Sequence, residues 1–254
     1  MRILLSNDDG ILAPGLAALR AAVADLGEIS IVAPDSPQSA AGHAITLKHP
    51  LTVQRVGLGA PEKFWGISVD GRPADCVRLA IRELLDKPPE LVLSGINAGQ
   101  NVGINVFYSG TVAAAAEAAM FNIPAVAFSA ATTGGEIDFE RAASGCRKVL
   151  DRLLAGGLSP GDLINVNVPA LAGGEPKGVQ VVRQSTAGLE DVYRRRVDGD
   201  GGESYRLGDV YKFLPGEADC DVAALADGYI TVTPLQVDMT RGDRLKTLKR
   251  IMGQ

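Results

Sequence analysis

Arg2-Ile3-Leu4-Leu5-Ser6-Asn7-Asp8-Asp9-Gly10 opens the chain with a compact apolar run that breaks abruptly into a polar loop. From 14 to 26 Leu, Ala and Val return at helical spacing until Gly27 closes the segment, and 28–33 reads as a second strand. Strand, loop, helix and strand make a βαβ unit, so the sheet begins with a parallel pair. Further strands are predicted at 51–56, 64–69, 90–94, 125–129, 163–168 and 179–183, with helices at 73–85, 111–121 and 139–154. This alternation predicts an α/β fold with a doubly wound, mostly parallel, Rossmann-like sheet.

The pattern changes after Gln184. Tyr193-Arg194-Arg195-Arg196-Val197 and Ser204-Tyr205-Arg206-Leu207 flank Asp198-Gly199-Asp200-Gly201-Gly202, the signature of a hairpin whose charged arms project from the core. A strand at 229–233 returns to the sheet, and the basic amphipathic stretch 244–252 predicts a terminal helix. Residues 1–184 are therefore expected to form the core, and 185–254 to carry the hairpin, the returning strand and a C-terminal segment suited to association.

The 254 residues carry 25 basic and 30 acidic side chains for a net charge of -5, intermixed along the chain, which argues against a nucleic acid polymer as partner. No apolar stretch approaches the ~20 residues that span a bilayer, and no cleavable leader precedes the first strand. A soluble, cytoplasmic protein with no membrane partner is expected. Cys76, Cys146 and Cys220 lie far apart with no CxxC pair, so buried free thiols are expected rather than a zinc knuckle or disulfides.

Open α/β sheets bind ligands at the carboxyl ends of their strands, which directs attention to the loops. Asp8 and Asp9 are adjacent acids at the end of an apolar strand. Their mutual repulsion would be relieved by a hard divalent cation, although a polar turn capping the next helix explains the residues equally well. The loop 34–43 is rich in small residues and contains Ser39. The loop 94–103 offers glycines for tight folding and the amides of Asn97 and Asn101 as neutral oxygen donors, or forms an ordinary turn. Ser109, Gly110 and Thr111 open a strongly helical run whose exposed N–H groups favour an anion. No Lys or Arg occurs between Arg20 and Lys48 or between Lys87 and Arg141. A phosphate bound here would draw its compensating charge mainly from a metal and backbone dipoles.

Taken together, these motifs resemble the SurE family, whose members act as 5'-nucleotidases and in some cases as exopolyphosphatases. The resemblance covers nearly the whole chain. It runs through Ser6-Asn7-Asp8-Asp9-Gly10, Ala33-Pro34-Asp35 leading to Ser39, Pro73-Ala74-Asp75-Cys76-Val77, Ser94-Gly95-Ile96-Asn97, Tyr108-Ser109-Gly110-Thr111-Val112, Asn165-Val166-Asn167-Val168-Pro169 and Ile230-Thr231-Val232-Thr233-Pro234. It implies one divalent metal ion per subunit, Mg²⁺ or Mn²⁺, held by Asp8, Asp9, Ser39 and Asn97. The residues alone point to Asp8 and Asp9 and leave Ser39 and Asn97 open. Two departures stand out: Gln38 where many members carry arginine, and Gln100 where proline is common. The first bears on substrate range.

The resemblance further implies hydrolysis of nucleoside 5'-monophosphates, with 3'-monophosphates and short polyphosphate as further candidates, by a homodimer or homotetramer. Asn97, Asn101, Ser109, Gly110 and Thr111 are the expected phosphate contacts, and Asp8 and Asp9 the expected catalytic pair. His43 is read as a solvated loop histidine before it is read as a general acid, and Trp65 as packing rather than base stacking. A haloacid-dehalogenase-like phosphatase would need Asp-x-Asp, and an NAD oxidoreductase GxGxxG; neither pattern is present. A non-catalytic metal- or nucleotide-binding assembly protein is the remaining alternative.

Overall fold

The structure, a computed structural model, describes residues 1–57, 64–132, 135–170, 174–190, 192–208, 213–214 and 217–254. The predicted βαβ unit forms from β1 (Arg2–Ser6), α1 (Pro14–Ala22) and β2 (Glu28–Pro34), with Pro14 in the first turn, where its missing N–H costs nothing. The chain continues through β3 (Val53–Gly57), β4 (Phe64–Val69), α2 (Pro73–Leu79) with a wider turn at Ala80–Leu84, and β5 (Leu91–Ala98). A 3-10 turn at Gly103–Phe107 leads into α3 (Gly110–Met120), β6 (Ala125–Ala130), α4 (Phe139–Gly156), β7 (Leu163–Val168) and β8 (Val179–Val181). Then follow β9 (Tyr193–Val197), β10 (Glu203–Leu207), α5 (Asp221–Ala226), β11 (Ile230–Leu235) and α6 (Gly242–Ile251).

Nine strands form one sheet in the order β3-β4-β2-β1-β5-β6-β7-β11-β8. All neighbours are parallel except β3 with β4 and β11 with β7. Side chains alternate between two cores. Ile3 and Leu5 join the apolar cluster shared with α1 and α4, whereas Leu4 joins that of α2 and α3. A sheet covered on both faces explains why β1, β5 and β6 read as unbroken apolar runs.

Several predicted boundaries move. α1 stops at Ala22 because the Val23 N–H bonds the carbonyls of both Leu19 and Arg20, tightening the last turn. β3 begins at Val53. β5 runs on to Ala98, its register with β6 slipping between Ser94 and Asn97 before Asn97 pairs with Ser129. Asn97 therefore sits in a bulged strand end and not in a loop. The short helix α5 was not anticipated.

β9 and β10 form a separate antiparallel ribbon, exposed along its length, with Arg195 opposite Tyr205. α6 buries none of its residues, leaving Leu245, Leu248 and Ile251 in the open. β11, from the same C-terminal third, lies inside the main sheet. Cys76, Cys146 and Cys220 are buried free thiols. Trp65 packs against the core, and its indole N–H donates to the Ile11 carbonyl at 2.9 Å. Among the described residues no helix is long and apolar enough to cross a membrane.

Candidate metal and phosphate site

From β1 the chain moves to β2 on one side, while β5 occupies the other, so the strand order reverses between β1 and β5. The crevice at their carboxyl ends is where such sheets take ligands. Asp8 and Asp9 stand on one wall of it, and Asn97 comes from the other.

The loop after β1 is closed by Asn7, whose side chain donates to the Gly10 carbonyl at 2.9 Å and accepts from the Gly10 N–H at 3.2 Å. Gly10, at φ +104°, occupies a backbone region that disfavours any side chain. The turn faces Asp8 toward α3. There Asp8 accepts a hydrogen bond from the Thr111 hydroxyl, and Gly110 lies so close that an added Cβ would meet the Asp8 Cβ at 2.7 Å. Asp9 accepts the Ala98 N–H at 3.1 Å, which fastens it to the end of β5. Asn97 donates its amide to the Gly99 carbonyl at 2.7 Å, leaving the amide oxygen as the atom it offers to a cation. The Gln38 N–H donates to the Asp8 carbonyl at 2.7 Å, and Gly42 N–H to the Tyr108 carbonyl at 2.9 Å, so the exposed Ser39 belongs to a loop stitched to the site at both ends.

Burial pushes the Asp8 carboxyl up to about 6; the neighbouring Asp9 charge adds to this, and the Thr111 hydroxyl works against it. Burial raises Asp9 as well, opposed by the Ala98 N–H. Neither acid has an ion-pair partner among the described residues. Two desolvated carboxylates without a counter-cation fit a bound divalent ion. No cluster of three or more His, Cys, Asp or Glu is arranged for a metal among the described residues. An ion here would depend on the two acids plus neutral oxygens, the donor set of hard cations such as Mg²⁺ or Mn²⁺.

At the start of α3 the Ser109 hydroxyl oxygen accepts the Val112 N–H at 3.1 Å. The Gly110 N–H, in the first turn, has no intrahelical partner, while the Thr111 N–H joins the Thr111 hydroxyl on the Asp8 carboxylate. Asn101 is placed differently from these. Its side chain donates to Ser129 at 2.8 Å, its N–H to Asn167 at 2.7 Å, and its carbonyl accepts from Asn165 at 2.7 Å. These bonds turn the side chain into the core and make it a brace for the loop after β5. Asp221, fully buried, extends the brace by accepting N–H groups of Gly103, Ser185 and Val222, each at 2.9 Å. Asp221→Asn retains shape but replaces one acceptor oxygen with a donor. It is expected to lower unfolding free energy by about 1–3 kcal/mol in urea titration.

His43 departs from the expectation of a solvated loop residue. Its Nε2 lies 2.8 Å from Glu117 Oε2, and Arg78 reaches the other oxygen of Glu117 at 2.7 Å. Glu117 is buried within α3, so the pair clamps the 39–43 loop and α2 onto that helix. Glu117 and Asp221 carry no local signal in the sequence, because each acts on residues more than 30 positions away.

A sequence profile described as Survival protein SurE matches residues 3–191. A 5'-nucleotidase SurE of Gemmatimonas aurantiaca is 45% identical over 250 residues, covering 97% of each chain. Another, from Christiangramia forsetii, is 41% identical over 246 residues, covering 97% of this chain and 95% of the relative. The crystal structure of the SurE protein from Aquifex aeolicus superimposes with a TM-score of 0.84 at 37% identity, covering 99% of this chain and 100% of that one. With the profile, the full-length relatives and the shared architecture in agreement, the chain belongs to the SurE family.

Proposed function

We infer that this protein is a metal-dependent 5'-nucleotidase, hydrolysing nucleoside 5'-monophosphates to nucleoside and phosphate. The observation that carries this reading is the uncompensated Asp8–Asp9 pair at the sheet's switch point, Asp8 buried and Asp9 half-buried, set against the N-terminus of α3. The full-length relatives named 5'-nucleotidase SurE support the reaction class.

In this reading Asp8, Asp9, Ser39 and Asn97 hold one Mg²⁺ or Mn²⁺ per subunit. When bound, the ion supplies Lewis-acid polarisation of the phosphoryl group and lowers the pKa of a coordinated water. The protein's own contribution is placement. Thr111 commits its hydroxyl and its N–H to Asp8, which fixes that carboxylate and leaves the Gly110 N–H for a phosphate oxygen. Asp9, anchored through one oxygen, keeps the other for steering the attacking water in line with the leaving oxygen. Asn101 serves by holding the loop after β5. Ser109 also lines an apolar cavity of about 540 Å³ with His43, Phe107, Met120 and Leu235, space for a nucleoside next to the phosphate donors.

The exposed β9–β10 ribbon and the unburied apolar residues of α6 fit a role for 185–254 in holding a homodimer or homotetramer together. Light scattering at micromolar protein tests this, and a monomer would remove that role. A cytoplasmic location goes with the same reading. The non-catalytic alternative is disfavoured by the family assignment.

The direct test is phosphate release from a panel of 5'- and 3'-nucleoside monophosphates and short polyphosphate, after chelation and after adding back Mg²⁺ or Mn²⁺. Turnover of 5'-monophosphates that falls with chelator and returns with metal is expected. No release with any metal would leave only a binding role.

A further inference from the structure

The segments that build the site are free of Lys and Arg, yet the fold delivers a cation to its edge. Arg72, immediately before α2, donates from its guanidinium to Gln38 Oε1 at 2.5 Å. Gln38 is the residue whose N–H holds the Asp8 carbonyl, and it directly precedes Ser39. The residue after Arg72 closes in from another side. An added Cβ on Gly110 would stand 3.0 Å from Pro73 Cγ as well as 2.7 Å from Asp8 Cβ. Arg72 is thus tied to the site through its side chain at the Ser39 loop and through its neighbour at the start of α3.

Its charge is not cancelled there. Among the described residues Arg72 takes part in no ion pair. The nearest acid in sequence, Asp75, accepts from the backbone N–H of Arg72 at 2.9 Å and from the N–H and hydroxyl of Thr46 at 3.0 Å and 2.7 Å. Gln38 gives the guanidinium a neutral oxygen and occupies one of its five N–H donors. Its own amide is directed at the carbonyl and hydroxyl of Ser36, both at 3.4 Å, so it works as a bracket. A guanidinium held in place, uncompensated, with most of its donors open, suits a phosphate dianion.

We propose that Arg72, bracketed by Gln38, is a substrate-binding cation of this active site, contacting the phosphate of the incoming nucleotide from the Ser39 side and setting KM more than kcat. The proposal rests on the assignment of the site to Asp8, Asp9, Ser39 and Asn97. It also gives Gln38 a purpose: a glutamate there would pair with Arg72 and withdraw its charge from substrate.

The test uses the full chain loaded with Mg²⁺ or Mn²⁺ and a nucleoside 5'-monophosphate, comparing wild type with Arg72→Ala, Arg72→Lys, Gln38→Glu and Asp8→Asn. Arg72→Ala is expected to raise KM roughly tenfold with a much smaller change in kcat, the loss typical of one charge-assisted contact. Gln38→Glu raises KM in the same direction with the arginine still present, and Arg72→Lys recovers part of the loss. The KM of wild type rises with ionic strength more steeply than that of Arg72→Ala. Inorganic phosphate, added as a probe, raises the melting temperature of wild type more than that of Arg72→Ala or Gln38→Glu.

A KM within about twofold of wild type in a normally melting Arg72→Ala, far below the effect of a lost charge-assisted contact, overturns the proposal. Should Arg72→Ala fail to fold, an unchanged KM in Gln38→Glu does the same. Either result with Asp8→Asn inactive leaves the site assignment standing. An active Asp8→Asn removes the site assignment and the proposal with it.

Discussion

Asp8→Asn is expected to reduce turnover of a nucleoside 5'-monophosphate by about a thousandfold or more, and at the same time to stabilise the metal-free protein. The activity loss follows from position. Asp8 is the acid against α3, oriented by Thr111, and an amide in its place removes one of the two charges that would hold a divalent ion. The stability gain follows from the same burial. In the unfolded chain Asp8 titrates in the usual carboxylate range, near 4. In the folded chain it is pushed up to about 6. The folded state therefore holds the extra proton between those values, and the stability of the metal-free protein falls as pH rises from about 4 to about 6, then levels off. At neutral pH the accumulated penalty is about 2–3 kcal/mol, the equivalent of a shift of about two units. Asn at this position still offers an oxygen to the Thr111 hydroxyl and carries no charge to desolvate. Chemical denaturation across pH 4–7 with chelator present should show wild type losing stability relative to Asp8→Asn as pH rises, since the raised Asp9 and the other shifted acids are common to both. Added Mg²⁺ or Mn²⁺ should raise the melting temperature of wild type only. A stability difference between metal-free wild type and Asp8→Asn that is the same at pH 7 as at pH 4 would contradict this account of Asp8.

That trade between function and stability also explains which parts of the site can be read from the sequence alone. Two adjacent acids after an apolar strand are costly wherever they fall, so Asp8 and Asp9 stand out in the sequence and the sheet places them at its switch point. Ser39 and Asn97 carry no such cost. A serine in a loop or an amide near a glycine is commonplace, and only the family resemblance marked them as ligands. Asn97 lies in a strand because pairing with Ser129 resumes after the bulge, an outcome decided by β6 and invisible in the local sequence. The core strands and five of the helices, α1 to α4 and α6, were legible because their apolar periodicity is long and unambiguous. α5 was not, since its six residues complete fewer than two turns and depend on Asp221 satisfying distant N–H groups. The His43–Glu117–Arg78 clamp and the Arg72–Gln38 contact are long-range pairings of charged or polar groups with ordinary surface residues. No spacing rule connects positions brought together only by the packing of α2 and α3.

Gly110→Ala should also cost much of the activity, for a reason that is purely geometric. In most helices the change helps, because glycine costs about 1 kcal/mol relative to alanine in a helix interior. Here the new Cβ would meet the Asp8 Cβ at 2.7 Å and both Asp8 Oδ2 and Pro73 Cγ at 3.0 Å. None of these neighbours can retreat easily. Asp8 is tied by Thr111 and by Gln38 through its carbonyl, and Pro73 is buried at the start of α2. Either α3 withdraws from the crevice or the Asp8 carboxylate turns away, and both displace the Gly110 and Thr111 N–H groups relative to the acids. Forcing a methyl into such a contact costs about 1–3 kcal/mol, which the propensity gain offsets only in part. Misplacing catalytic groups by as little as an ångström is expected to cost roughly a hundredfold in kcat. Gly156→Ala provides the comparison: it lies at the end of α4, where an added Cβ meets nothing within 4 Å. That variant should gain up to about 1 kcal/mol of stability and keep full activity. Opposite signs in urea midpoints, with kcat lost only in Gly110→Ala, would tie the activity to the fit of Asp8 against α3. A fully active Gly110→Ala would mean that the phosphate is bound somewhere other than the start of this helix.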